Sequence, residues 1–470
     1  MGIIAAFMVP HPPLIVPNVG KGGEEQIKET TKSYEAVAKK IAELKPETIV
    51  ITSPHSVMYA DYFHISPGTH AEGNFANFNA PEVKFNETYD KEFTSYLSKL
   101  ADERLFPAGI LGERDSNLDH GTMVPLYFIE KYITDFKLVR IGLSGQPLTD
   151  HYRLGKMIQE TADALNKRVV LVASGDLSHK LQDYGPYGFS KEGPEYDDRI
   201  MKDAESGNFE AFFDYSEDFC EKAAECGHRS FVIMAGALDS KKLDIKKYSH
   251  QDVTGVGYGI CSFIVTGEDE SRKFLDYYLD KRKKKLTDQR NKEDAFVRLA
   301  RASLEHFIKE KHTYGVNEAF RAANISKEDE EKLLSDKAGA FVSIHKSDRL
   351  RGCIGTFLPT QYCLAEEIIA NAVSASTRDP RFDPITEEEL EWLEISVDVL
   401  GTPEDIESEA ELDPKKYGVI VRNGARRGLL LPDLPGVDTV EDQISIAKQK
   451  ADIGKHEEVS LQRFTVTRHI

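Results

Sequence analysis

Cysteine is scarce: Cys220, Cys226, Cys261, Cys353 and Cys363 are the five in 470 residues, and no two of them form a CxxC pair. That excludes a disulfide framework and paired-cysteine structural zinc, and a reducing cytoplasm is the expected location. Long apolar runs are missing too. Nothing approaches the roughly 18 uncharged residues a membrane helix needs, so no membrane partner is expected. The apolar run at the amino terminus stops at Pro10 without a basic leader, unlike a secretory signal. Positive charge is the third shortage. Sixty Lys and Arg face 79 Asp and Glu, a formal charge of -19, and such a surface repels a nucleic-acid backbone. The one basic run, KRKKK from Lys281 to Lys285, reads as a solvated helix end.

What is present is a globular composition, 40% hydrophobic and 30% charged, long enough for about two to four domains. Strands expected at 3–7, 48–52, 138–143, 168–173 and 257–265 alternate with helical patterns at 24–44 and 150–165 and a helix starting near His228. That alternation predicts an α/β domain, a mostly parallel sheet flanked by helices. The stretch from Pro54 to Pro81, rich in Gly, Pro and Asn, reads as a long structureless loop serving a site. After Val265 the pattern changes to a charged helical segment. The expected division is a first domain at 1–268, a helical linker at 269–290 and a second, α+β domain at 291–470. The second has expected strands at 340–345 and 393–400, a helix at 362–375 and a capping box from Thr386 to Glu389. Asn423-Gly424 predicts a hairpin, its loop lengthened by Ala425, Arg426 and Arg427.

Three expected strands of the first domain end close to a histidine: His11 in MVPHPP, His55 in SPHS and His179 in SGDLSH. Ligands of open α/β sheets bind outside the carboxyl ends of the strands, so these three imidazoles converge if the strands are parallel neighbours. Pro10 and Pro12 stiffen the backbone around His11. Imidazoles suit zinc, iron, copper or nickel, and two histidines with one carboxylate is the arrangement of non-haem iron(II) oxygenases. Asp115, Asp119, Asp176 and Glu225 are the candidate carboxylates. Taken singly, each histidine also reads as a hydrogen-bonded loop residue.

The motifs VPHPP, SPHS, DHGTMVPL, ASGDLSH and ECGHRS, in that order, resemble the class III extradiol dioxygenases, the LigB-type fold shared with the Memo proteins. The resemblance implies an iron(II) centre, with zinc or copper as alternatives, held by His11, His55 and Glu225. It also implies His179 as acid/base catalyst and His120 as a second active-site histidine; Asp176, in the adjoining turn, reads either as a carboxylate that orients His179 or as the cap of its own turn. Substrates would be an aromatic diol-like molecule and O2. In the Memo branch a cysteine occupies the late metal position, and Cys226 stands directly beside Glu225.

The second domain resembles the AMMECR family through LRGCIGTF (Leu350 to Phe357), DPRFDPI (Asp379 to Ile385) and GLLLPDLP (Gly428 to Pro435). Members occur beside or fused to Memo-like proteins and radical SAM enzymes, which implies a radical SAM protein as a partner. Cys353 beside Arg351 reads either as an activated thiol or as an inward-packed residue with Arg351 paired to Asp379 or Asp383. Arg378 and Arg381 read as parts of a structural ion-pair network. Three functions are compatible with these residues: a metal-dependent oxidoreductase, a Memo-like metal-binding scaffold without ring cleavage, and a zinc-dependent hydrolase on the same ligands. A homo-oligomer is left open.

Overall fold

The computed structural model describes residues 2–114, 117–347, 349–434 and 436–470. Asp115, one of the candidate carboxylates, and Pro435, which ends the third AMMECR-like motif, lie outside the described residues. The chain forms two compact units, divided between Leu279 and Asp280. The segment read as a linker is shared between them: a helix at Phe274–Arg290 begins in the first unit and ends in the second.

Six strands make the main sheet of the first unit: β1 (Gly2–Val9), β2 (Thr48–Ser53), β3 (Lys137–Gly142), β4 (Arg168–Ser174), β5 (Lys241–Gln251) and β6 (Tyr258–Glu268). Their order is β3-β2-β4-β1-β6-β5. The first four are mutually parallel, and β6 and β5 continue the sheet antiparallel. Both faces of β1, β2 and β4 are covered, which is why these strands read as unbroken apolar runs. Phe7, Val9, Ile49 and Ile51 pack against α1 (Lys28–Leu44) and α3 (His120–Ile129). Met8, Val50 and Leu171 pack against α4 (Leu148–Ala164) and α6 (His228–Ala237) on the other face. Helices α2 (Lys91–Glu103) and α5 (Glu192–Ser206) add Leu97 and Ile200 to that second core.

Two expectations fail in this unit. The stretch at 54–81 is not structureless: His70–Phe75 pairs with Ala80–Thr88 as a hairpin, turning through Asn79 in the left-handed region at φ 60°. Its alternation of exposed and buried positions is the strand signal that the Gly and Asn content obscured. Strand β5 was not anticipated, because five of the first seven residues of its sequence, KKLDIKKYSHQ, are charged. It is the sheet's edge, where lysines discourage pairing with another chain.

The second unit has two four-stranded sheets. One, ordered β8-β7-β9-β14, is built from β7 (Ala340–Lys346), β8 (Arg349–Gly355), β9 (Leu393–Leu400) and β14 (Val466–His469). The other, ordered β10-β13-β11-β12, comprises β10 (Glu404–Ile406), β11 (Gly418–Asn423), β12 (Arg426–Leu430) and β13 (Ser460–Phe464). With α7 denoting Phe274–Arg290, the helices α8 (Ala295–Glu310) and α9 (Leu364–Thr377) share a core with β7 and β9. The hairpin at Asn423 has a shorter loop than expected. Asn423 pairs with Arg426, leaving only Gly424 and Ala425 in the turn, and Gly424 sits at φ 60°. Lys283 and Arg282 of the basic run meet Glu391 and Glu394 at 2.7 and 3.7 Å, so part of that run is ion-paired within the second unit. Among the described residues no helix is long and apolar enough to cross a membrane.

Candidate metal centre

Strands β2, β4 and β1 are consecutive and parallel, so their carboxyl ends open on one stretch of the sheet's rim. His55 lies two residues past β2, Asp176 two past β4 and His11 two past β1. The backbone of His11 is fixed on both sides. The Tyr34 hydroxyl donates to the Pro10 carbonyl at 2.5 Å, and the His11 N–H donates to Asp176 Oδ1 at 2.7 Å.

The tautomer of His11 is set by its neighbours. Ser174 Oγ donates to the Gly121 carbonyl at 2.5 Å, so it can only accept from His11 Nδ1, 2.9 Å away. Nε2 is then left with its lone pair. That atom faces His55 Nε2 at 3.1 Å and Cys226 Sγ at 3.6 Å. The ring of His120, first residue of α3, lies 4.0 Å from that of His55 and 5.4 Å from that of His11. His179 donates from Nδ1 to the Ala224 carbonyl at 2.5 Å, which frees Nε2; this atom stands 4.0 Å from Asp176 Oδ2.

Burial and mutual proximity keep these rings neutral. His11 is pushed well below the ordinary histidine value by burial and then by His55, His120 and His179. Burial followed by His55 takes His120 to about 4, and burial lowers His55 and His179 as well. Burial raises Asp176 to about 7 and pushes the Cys226 thiol far up, with the Asp176 and Glu225 charges adding to the latter. Neutral imidazoles are the ligand form, and a thiol that must ionise releases a proton when it takes a metal.

Among the described residues two groups of potential ligands have all their donor atoms within 4.8 Å of one another: His11, His55 and Cys226; and Asp176, His179 and Cys226. Glu225, expected to complete the site, is in neither. Its Oε2 accepts from the His228 N–H at 2.6 Å, capping α6, and its side chain lines a separate 130 Å³ recess beside Cys220 and Arg229. Adjacent residues of a tight turn face opposite ways, and here the cysteine takes the inner side. Asp119 is likewise occupied: it caps α3 through the Thr122 N–H at 3.0 Å and accepts from Ser53 Oγ at 2.5 Å.

A signal for Cys226 lay in the glycines. A Cβ on Gly175 would stand 2.1 Å from the Cα of Gly227. Only a glycine pair lets the end of β4 and the loop before α6 approach so closely, which brings Cys226 Sγ within 3.2 Å of the Asp176 N–H. SGD and CGH in one chain are the sequence trace of that contact.

The motif residues of the second unit are arranged differently. Arg351 is the extra residue of a β-bulge in β8, where Ile344 pairs with Gly352 and His345 with Leu350. The bulge sends its guanidinium to Glu389, Nε to Oε1 at 3.0 Å and Nη2 to Oε2 at 2.9 Å, and to the Asp383 carbonyl at 2.7 Å. Glu389, rather than the carboxylate of Asp379 or Asp383, is thus its acid partner, and it closes the capping box with Thr386. Asp379 instead holds Arg381 at 2.7 Å and accepts from the Cys353 N–H at 2.9 Å, while Ser343 Oγ donates to Cys353 Sγ at 3.2 Å.

A cluster of imidazoles, His11 buried and His55 exposed, at the carboxyl rim of a largely parallel sheet fits a class III extradiol-type scaffold. The profile described as the catalytic LigB subunit of aromatic ring-opening dioxygenase matches residues 5–261, and that of AMMECR1 matches 297–469. The chain belongs to the LigB family and carries a fused AMMECR1 unit. A protein of Clostridium acetobutylicum is 41% identical over 477 residues, 100% of this chain and 99% of that one. A Thermotoga maritima protein is 56% identical over 141 residues, 30% of this chain and 81% of that one. The 2-aminophenol 1,6-dioxygenase beta subunit of a Pseudomonas species is 29% identical over 291 residues, 56% of this chain and 93% of that one.

Proposed function

We propose that the first unit is a mononuclear metal-dependent oxidoreductase whose ion is held by His11, His55 and Cys226. The convergence of these three donor atoms carries the reading. Ions with bonds of about 2.0–2.1 Å to imidazole and about 2.3 Å to thiolate need donors roughly 3.0–3.7 Å apart, which the 3.1 and 3.6 Å separations meet. The Ser174 bond to His11 Nδ1 is the outer support such ligands normally have. Iron(II) is the ion the scaffold favours, with copper or zinc as alternatives, and bound iron would supply the electron transfer between an aromatic diol or aminophenol and O2.

The protein's own part is proton handling. His179, neutral and with Nε2 free, takes a hydroxyl proton from the substrate and later returns it. Asp176 orients that ring from 4.0 Å while bonding the backbone of His11, and neutral His120 offers a hydrogen bond to an oxygen of the substrate. Replacing His179 with alanine is expected to keep the metal and cut turnover by about 10²–10⁴-fold. Wild-type turnover in that variant removes the role.

Cys226 favours a second reading. A thiolate in place of the carboxylate departs from the two-histidine, one-carboxylate pattern of ring-cleaving iron enzymes. The alternative is a Memo-like metal-binding scaffold that cleaves no ring. Anaerobic loading with iron(II), followed by O2 uptake on catechol and 2-aminophenol, separates the two. Uptake with ring-opened product supports the oxidoreductase; stoichiometric iron with no uptake supports the scaffold.

A further inference from the structure

Arg351 and Arg381 of the second unit each hold a carboxylate. Arg290, the last residue of α7, does not: among the described residues no carboxylate lies within ion-pairing distance of it. Its guanidinium donates to the Leu390 carbonyl at 2.5 Å, and its Nε is buried with no hydrogen-bond acceptor. Arg301 of α8 is a close electrostatic neighbour. Its Nε contacts both oxygens of Glu293, at 3.0 and 2.9 Å, but its Nη1 is also buried without an acceptor, Glu305 Oε1 standing 3.6 Å away. Burial, then the charge of Arg301, draws the Arg290 pKa below the ordinary arginine value. Between them the two half-buried guanidiniums have one directly hydrogen-bonded carboxylate, Glu293 on Arg301, with Glu305 at 3.6 Å from the same side chain.

Both arginines line a cavity of about 620 Å³ whose lining residues all belong to the second unit. That volume lies within the roughly 300–1,000 Å³ typical of small-molecule sites. Leu286 and Ile395 give it apolar wall. Its charged side chains are Arg290, Lys292 and Arg301 against Glu293 and Glu394.

We propose that this cavity binds a small organic monocarboxylate, its head on Arg290 and Arg301 and its apolar body against Leu286 and Ile395. The planar guanidinium fork matches a carboxylate. A phosphate dianion would bring two charges against Glu293 and Glu394 where a monocarboxylate brings one. All of its lining belongs to the second unit, so the fused unit would have a ligand of its own.

Isothermal titration of the full chain with benzoate, hexanoate and 3-phenylpropionate, beside benzamide and inorganic phosphate, tests this. At least one carboxylate is expected to bind at a single site with a dissociation constant of about 1 mM or tighter. Benzamide and phosphate are expected not to bind there. Arg290→Met should weaken the carboxylate by about tenfold or more, the loss expected when a charged hydrogen bond is removed. Arg290→Gln, which keeps an amide donor for the Leu390 carbonyl, repeats the measurement should the Met variant fail to fold. Absence of saturable carboxylate binding, preference for phosphate, or wild-type affinity in a folded Arg290 variant would overturn the proposal.

Discussion

At the rim of the first sheet, Nε2 of His11 and Nε2 of His55 face each other at 3.1 Å with a cysteine thiol beside them and, among the described residues, no carboxylate bonded to either. Along β8 of the second unit, Arg351 binds both oxygens of Glu389 and a backbone carbonyl besides. Both regions carry the most recognisable motifs of their units, yet one leaves donor atoms converging and uncommitted while the other pairs its charges. A buried polar group without a partner is costly, and the gathered donor atoms of the first region are the ones the proposed metal would engage. Paired groups hold a loop. The strength of a motif does not distinguish these cases; the disposition of its hydrogen-bonding capacity does.

The sharpest way to break the comparison is at Cys226. Cys226→Ala is expected to lower metal affinity by more than about 100-fold, beyond the cost of losing an outer-sphere partner. Glu225→Gln should leave metal stoichiometry unchanged, since its carboxylate serves α6. Metal analysis of both purified variants decides, and the reverse pattern would restore Glu225 as ligand. The next effect is smaller. Ser174→Ala removes the acceptor that sets the His11 tautomer and should weaken metal by about 10–100-fold with the fold intact, measured by chelator competition. Unchanged affinity would mean that the tautomer is set elsewhere.

In the second unit the largest expected effect is on stability. Burial alone would raise Glu389, but Arg351, the Thr386 backbone and Lys346 outweigh it and hold the carboxyl at about 2, against an ordinary value of 4.5. A carboxyl depressed in the folded state stabilises fully above its unfolded value, and the contribution is lost as pH falls from about 4.5 towards 2. After allowance for solvent screening the contribution is about 2 kcal/mol. Chemical denaturation of Glu389→Gln at pH 7 should show a loss of that order, shrinking towards pH 3. A loss independent of pH would show that packing, not charge, holds this loop.

Much of the first unit is legible in its sequence. Parallel strands with two buried faces write themselves as apolar runs, and the residues just past their carboxyl ends are gathered at the sheet's rim, so His11, His55, Asp176 and His179 could be read as neighbours from position alone. Glu225 could not be resolved from Cys226, because which of two adjacent residues faces inward depends on a loop's path. That path is governed by the contact of Gly175 with Gly227, fifty-two residues apart, which no local pattern reports. Strand β5 was hidden for the opposite reason: its place at the sheet's edge selects lysine over the apolar residues that mark a buried strand. The partner of Arg351 was obscured by a bulge, since one extra residue turns a side chain to the other face.

The smallest effect is expected where the sequence looked most reactive. Cys353 accepts a bond from Ser343 Oγ, and its backbone is held at both ends, the N–H by Asp379 and the carbonyl by Arg381 Nη2 at 3.2 Å. A serine there keeps the backbone bonds and still offers an oxygen to Ser343, so Cys353→Ser should change stability by no more than about 0.5 kcal/mol, within the range of ordinary surface substitutions. Thermal denaturation checks this. A loss several times larger would mean that the thiol's packing is part of what keeps the loop from Asp379 to Ile385 in place, and the second unit's motif would then depend on a sulfur atom as the site proposed for the first unit does.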